Sequence, residues 1–198
     1  TDYGKDVINL TLDYPEPYVS LGKAKFSDTF LFENVYEVEV MQNSLNPTQF
    51  RLVAPYAEGL EKEDFTMEAG PAEFVDFRIL TPGDKIHDTE VTQEGLVYFP
   101  SYMTGFYNGS YSAEVWAHHP STFVKYAAES TWSYSKVVAW QDKENCLPGI
   151  VQFAPFYYMD GVGGWDNTQA DGLVTITFPG YVPSDYSLSL FANGMKVV

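Results

Sequence analysis

The chain has 198 residues, 45% hydrophobic and 19% charged, with 27 Asp and Glu against 11 Lys and Arg for a formal net charge of −16. A chain of about this length buries roughly 70% of the surface it exposes when unfolded, so it needs neither disulfide nor metal to hold a core, and disorder and collagen-like structure are excluded. The acidic balance opposes the phosphate backbone that supplies most non-specific nucleic-acid affinity, which argues against DNA and RNA as partners.

The aromatic content is high, with 15 Tyr, 14 Phe and 4 Trp among 12 Pro and 15 Gly, and favours many short strands separated by turns. Tyr36, Val38 and Val40 alternate with Glu37 and Glu39, the period-two pattern of a half-buried strand whose glutamates face solvent. Asn43 to Pro47 has turn composition, and Phe50 to Val53 resumes an extended pattern, so the two strands read as a hairpin. Val75, Phe77 and Ile79 alternate with Phe74, Asp76 and Arg78, closed by the Thr81 to Asp84 turn. Tyr111, Ala113, Val115 and Ala117 alternate with Ser112, Glu114, Trp116 and His118, which sets Trp116 on a polar face. Trp132, Tyr134, Lys136, Val138 and Trp140 share one side of a further strand, of which neither face is plainly the outside. Helical periodicity is confined to Glu58 to Phe65 and Ser121 to Ser130, and both lack a full apolar stripe.

The expectation is an all-β fold, antiparallel and sandwich-like, with residues 1–198 forming one compact domain because no polar linker divides it. Two echoes raise an internal repeat over about 18–105 and 106–198. Glu94 to Pro100 resembles Asp171 to Pro179, and Leu52-Val53-Ala54-Pro55-Tyr56 resembles Gln152-Phe153-Ala154-Pro155-Phe156. Two related β units, a duplicated hairpin and coincidence all account for them. The single cysteine, Cys146, cannot form an internal disulfide and leaves the compartment open. No run of about 18 apolar residues is present to cross a bilayer. Thr1 and its neighbours lack the basic and apolar regions of a signal peptide, so a trimmed mature chain is expected, with any leader upstream.

The stretch Leu21-Gly22-Lys23-Ala24-Lys25-Phe26-Ser27-Asp28, then Val35 to Val40, Pro47, and Phe50-Arg51-Leu52-Val53-Ala54-Pro55-Tyr56 resembles a segment of secreted surface lipoproteins of Bacteroidetes. There a Gly-x-Ala-x-Tyr-x-Asp opening precedes Tyr-x-Val-Glu-Val and Tyr-Arg-Leu-Val-x-Pro-Tyr strands. The match covers about residues 18–56, with Phe26 and Phe50 where tyrosine is usual, and residues 101–146 have no place in it. The resemblance implies a lipid-anchored protein of the outer-membrane surface or periplasm, often near polysaccharide-uptake machinery, and implies no activity.

Glycoside hydrolysis needs two carboxylates flanking one bond, but Glu37 and Glu39 read as a solubilising edge. His118 and His119 are adjacent and point to opposite faces of a strand, which disfavours a zinc site. The Gly-x-Ser-x-Gly elbow of a Ser–His–Asp hydrolase is absent. No enzyme activity is expected. The Asp160 to Gly172 loop offers Asp160, Asp166 and Asp171 as oxygen ligands for Ca²⁺, the one cofactor candidate, against the plainer reading of a long hairpin loop. Trp165 in that loop and Trp116 on its polar face suit stacking against sugar rings, with burial over the core as the alternative. Tyr157 and Tyr158 cannot both be core on one strand. The reading is a non-enzymatic envelope protein that captures polysaccharide or oligosaccharide through Trp165, Trp116, Tyr157 and Tyr158, with Asp160 or Asp166 as hydroxyl partners. The alternative is a structural module that engages other envelope proteins and meets the membrane only through an N-terminal lipid anchor.

Overall fold

The computed structural model describes residues 17–31, 35–58, 71–108, 110, 113–120, 123–129, 134–166 and 173–183. The strands up to the middle of the chain are β1 (Tyr18–Asp28), β2 (Val35–Asn43), β3 (Gln49–Val53), β4 (Phe74–Ile79), β5 (Lys85–Ile86), β6 (Thr89–Glu90), β7 (Val97–Tyr98), β8 (Tyr102–Asn108) and β9 (Ala113–His118). After them come helix α1 (Phe123–Glu129) and β10 (Lys136–Asp142), β11 (Leu147–Phe153), β12 (Phe156–Met159), β13 (Gly163–Asp166) and β14 (Val174–Thr177). The fold is all-β and antiparallel, with packed sheets, as the alternation predicts. Each strand read from the sequence has its counterpart among the described residues, with Tyr111, Ser112, Trp132 and Ser133 of two of them lying outside those residues, and α1 falls within the Ser121 to Ser130 window. Of the other helix candidate, all but its first residue lies outside the described residues.

An eight-stranded sheet runs in the order β10-β11-β14-β1-β2-β3-β4-β7. Its two edges meet: Leu96 bridges Lys136, the Val97 amide donates to the Ser135 carbonyl at 3.0 Å, and the Val137 amide donates to the Gly95 carbonyl at 2.7 Å. The sheet is therefore a nearly closed ring whose members follow one another around it in chain order, with other elements inserted between some of them, and the first and last strands join at Lys25↔Thr177 to Asp28↔Val174. Alternation turns Ala24, Phe26, Tyr36, Val38, Val40, Phe50, Leu52, Val75, Phe77 and Ile79 inward, and charged residues such as Lys23, Lys25 and Glu37 outward. The interior is filled by phenylalanines in mutual contact, with ring centroids of Phe50 and Phe77 5.3 Å apart, Phe77 and Phe153 5.2 Å, and Phe99 and Phe153 4.6 Å. Each such side chain contributes about 1.5–3 kcal/mol when fully buried. Strand β10 pairs with β11 through several register shifts and is half-buried or exposed along its length, which is why neither of its faces read as the outside.

The connections divide unequally between the two ends of the ring. At one end lie the β2–β3 and β10–β11 turns and the β5–β6 hairpin. At the other, β7 leaves for β8, β9 and α1 before β10, and β11 leaves for β12 and β13 before β14. These two excursions form a second sheet, β13-β12-β9-β8. Its inner residues Tyr102, Phe106, Ala113, Val115, Ala117, Tyr157 and Met159 join the same core as the ring, so the small sheet packs against the ring as a cap. A satellite core of Leu80, Ile86, Val91, Leu96, Val124 and Ala127 holds α1 to the β5–β6 region.

The echoes fall on ring strands but not as a simple rotation. β3 and β11 are four places apart in the ring and β7 and β14 three. Leu52 is buried where its aligned Gln152 is not, and Phe153 is buried where Val53 is not. Val97 and Phe99 do share the core role of Val174, Ile176 and Phe178.

Candidate functional site

The outer face of the small sheet carries the aromatic groups that strand alternation leaves over. Two rows cross it. Met103, Trp116, Tyr158 and Gly164 stand in register across the four strands, and beside them His118 and Phe156. Trp116, His118, Phe156 and Tyr158 are all half-buried, so four rings occupy a two-by-two patch. They are not one flat row. Trp116 and His118 lie near-parallel at 17°, as do Phe156 and Tyr158 at 27°, while His118 and Tyr158 meet at 71° with centroids 5.7 Å apart. Gly164 makes this possible, because a Cβ there would run into the Phe156 ring, which lies over it.

Ser101 continues the second row: its Oγ lies 2.6 Å from His118 Nδ1. Desolvation holds the His118 imidazole below its ordinary pKa, so it is neutral at neutral pH. A hydroxyl next to an imidazole is the start of a nucleophile–base pair, but His118 Nε2 has no orienting carboxylate among the described residues, so the arrangement stops short of a triad.

The structure separates the residues singled out from the sequence. Trp116 and Tyr158 come together, adjacent in register on the outer face. Tyr157 does not join them: it is fully buried and its hydroxyl donates to Asp28, so it presents no face to a ligand. Asp160 is exposed in the turn after β12. Trp165 stands opposite Tyr157 in register, and its side chain and that of Asp166 lie outside the described residues, as does Asp171 entirely. Within the stretch expected to be one long loop, residues 160–162 form a tight turn followed by β13, and residues 167–172 lie outside the described residues. Asp160 thus follows β12, and Asp166 ends β13 opposite Phe156 in register. Among the described residues no group of three or more His, Cys, Asp or Glu side chains is placed to share a metal.

His119, the neighbour of His118, points the other way. Its Nε2 lies 3.1 Å from the Val97 carbonyl and its Nδ1 3.2 Å from that of Pro120, and its ring packs on Phe99 at 4.8 Å. Burial pushes its pKa down to about 4. Sequence reasoning missed the polar centre beneath the cap. Asp28, fully buried, accepts the Tyr56 and Tyr157 hydroxyls on Oδ2 at 2.8 and 2.6 Å, and the Phe30 and Leu31 amides on Oδ1 at 3.0 and 3.1 Å. Tyr56 and Tyr102 share a further contact at 3.1 Å between hydroxyl oxygens. The signal was available, since Ala24, Phe26 and Asp28 keep strict alternation toward the inside. This centre is closed to solvent and ties β1, the chain after β3, β8 and β12 together.

Compared with known proteins, the chain matches no family model, no curated protein and no solved structure.

Proposed function

We propose that this chain is a non-enzymatic binding protein of the cell envelope that captures glycan on the outer face of its small sheet. The observation that carries the reading is the register pairing of Trp116 with Tyr158, flanked by His118 and Phe156. Partly exposed rings on a rigid sheet offer apolar faces to the C–H side of a sugar, while the indole N–H and the tyrosine hydroxyl offer hydrogen bonds to its hydroxyls. Asp160, exposed two residues beyond Tyr158, supplies a further acceptor. The placement at the envelope rests on the lipoprotein-like segment that forms β1 to β3.

Affinity electrophoresis of the chain against a panel of plant and host polysaccharides tests this, with Trp116→Ala and Tyr158→Ala alongside. Retardation on at least one polysaccharide, lost in both variants while their circular dichroism is unchanged, is the expected result. Absence of retardation on every polysaccharide overturns it and leaves a structural or protein-interaction module as the better reading.

A further inference from the structure

The chain has two arginines, Arg51 and Arg78, and both stand on neighbouring strands of the ring, Arg51 opposite Asp76 and Arg78 opposite Gln49 and Tyr98. Arg51 is fully engaged. Its Nε donates to Asp76 Oδ1 at 2.7 Å and a terminal nitrogen donates to Oδ2 at 3.1 Å, and its guanidinium lies over the Tyr18 and Phe74 rings at 4.2 and 4.5 Å. A bidentate pair with aromatic cover is a completed interaction. Arg78 differs. Its contact is with the Tyr98 ring, 5.7 Å to the centroid, and among the described residues it has no hydrogen-bond or ion-pair partner.

Arg78 opens into a groove of about 240 Å³ lined by Tyr18, Gln49, Asp76, Arg78, Tyr98 and Pro100. The lining residues Gln49, Arg78 and Tyr98, adjacent in register, bring three donors without an acceptor among the described residues: the Arg78 guanidinium, the Tyr98 hydroxyl and the amide nitrogen of Gln49, whose oxygen already accepts from Asn43 at 2.9 Å. The one carboxylate there, Asp76, is neutralised by Arg51. A set of donors grouped around a planar guanidinium matches a carboxylate, which accepts two parallel N–H bonds from the fork. The tyrosine rings and Pro100 give the walls an apolar surface for a small carbon skeleton. The groove is smaller than the 300–1,000 Å³ or so of sites for drug-sized ligands, and a net charge of −16 repels a polyanion far more than a monovalent acid.

We propose that this groove binds a small carboxylate-bearing ligand, of the size of one sugar acid or one amino acid, through Arg78, Gln49 and Tyr98. The site is separate from the aromatic face and does not depend on it.

The test is a titration of the ¹⁵N-labelled chain with glucuronate and with glutamate, against glucose and glucuronate methyl ester as uncharged controls, read on the Arg78 Nε and Gln49 side-chain signals. The expected result is saturable shifts with a carboxylate and none with the uncharged sugars, the stronger of the two acids distinguishing a sugar acid from an amino acid. Arg78→Met weakens that binding by about tenfold or more, the scale of a lost charge-assisted pair. Tyr98→Phe, which removes only a hydroxyl and keeps the ring, weakens it several-fold and serves if Arg78→Met does not fold. Equal shifts with glucose, no shift with either acid, or unchanged affinity in folded Arg78→Met or in Tyr98→Phe overturns the proposal.

Discussion

The Tyr157 hydroxyl donates to the Asp28 carboxylate at 2.6 Å across 129 positions of sequence, fastening the cap sheet to the end of the first ring strand. Removing that hydroxyl in Tyr157→Phe deletes one charge-assisted bond and costs about 1.5–3 kcal/mol, whereas Asp28→Ala also strips the Tyr56 hydroxyl and two backbone amides of their acceptor and costs more. Urea denaturation of both single variants and the double variant measures this. A coupling energy near zero between the two sites would remove the fastening role.

Stability responds to acid through His119. Its folded pKa, about 4, lies below the ordinary value near 6.5, so the unfolded chain binds more protons between those limits. The contribution is therefore fully present above pH 6.5 and is lost as the pH falls toward 4, by up to about 3 kcal/mol. Asp28 acts with the opposite sign: burial raises its pKa above the ordinary value, so its contribution is present below pH 3.8 and is lost as the pH rises through the raised folded value. A stability–pH profile of His119→Gln, which does not titrate, is expected to be flatter than the parent's between pH 6.5 and 4. An unchanged slope would discard the assignment.

Among the described residues the seam between β7 and β10 is the weakest join of the ring, being one bridge and two backbone hydrogen bonds where β1 and β2 share a long ladder. Ser135, buried beside it, accepts the Ala154 amide on its Oγ at 2.9 Å. In Ser135→Ala that amide is orphaned at a cost of about 1–3 kcal/mol. Hydrogen exchange should quicken at Val97 and Val137 before it quickens at the β1–β14 ladder. Uniform exchange across both places would contradict the seam.

The Phe156 ring occupies the space over Gly164. Gly164→Ala is expected to force that ring away, with an overpacking cost of about 1–3 kcal/mol and a change in the near-ultraviolet circular dichroism. A neutral substitution with an unaltered spectrum would show that the patch is not set by this glycine.

The strands were legible because period-two alternation is local: Tyr36 to Val40, Val75 to Ile79 and Ala113 to Ala117 each declare their buried face without reference to a partner. What alternation cannot declare is which strand lies next to which. The ring order, the cap built from two excursions and the Asp28 centre depend on contacts between residues far apart in sequence. Tyr157 and Tyr158 illustrate the boundary. Alternation requires that one face out, but only the pairing with Trp116 shows that it is Tyr158. Within the Asp160 to Gly172 stretch that reads as a long loop, Gly163 to Asp166 is an edge strand: glycine and aspartate are turn formers, and here the strand accepts two glycines, with its neighbour's ring lying over one of them.

Because the ring joins its first strand to its last, the outer edge of β1 has to wait for β14. Lys25 pairs with Thr177, about 150 residues later, and a ribosome adding about 5–20 residues per second holds that edge open for on the order of ten seconds. An open edge is a template for pairing with another nascent copy, and charge on the edge is the usual protection. Lys23 and Lys25, exposed on β1 in a chain with few cations, give the nascent strand that guard during synthesis, a role that ends once β14 arrives.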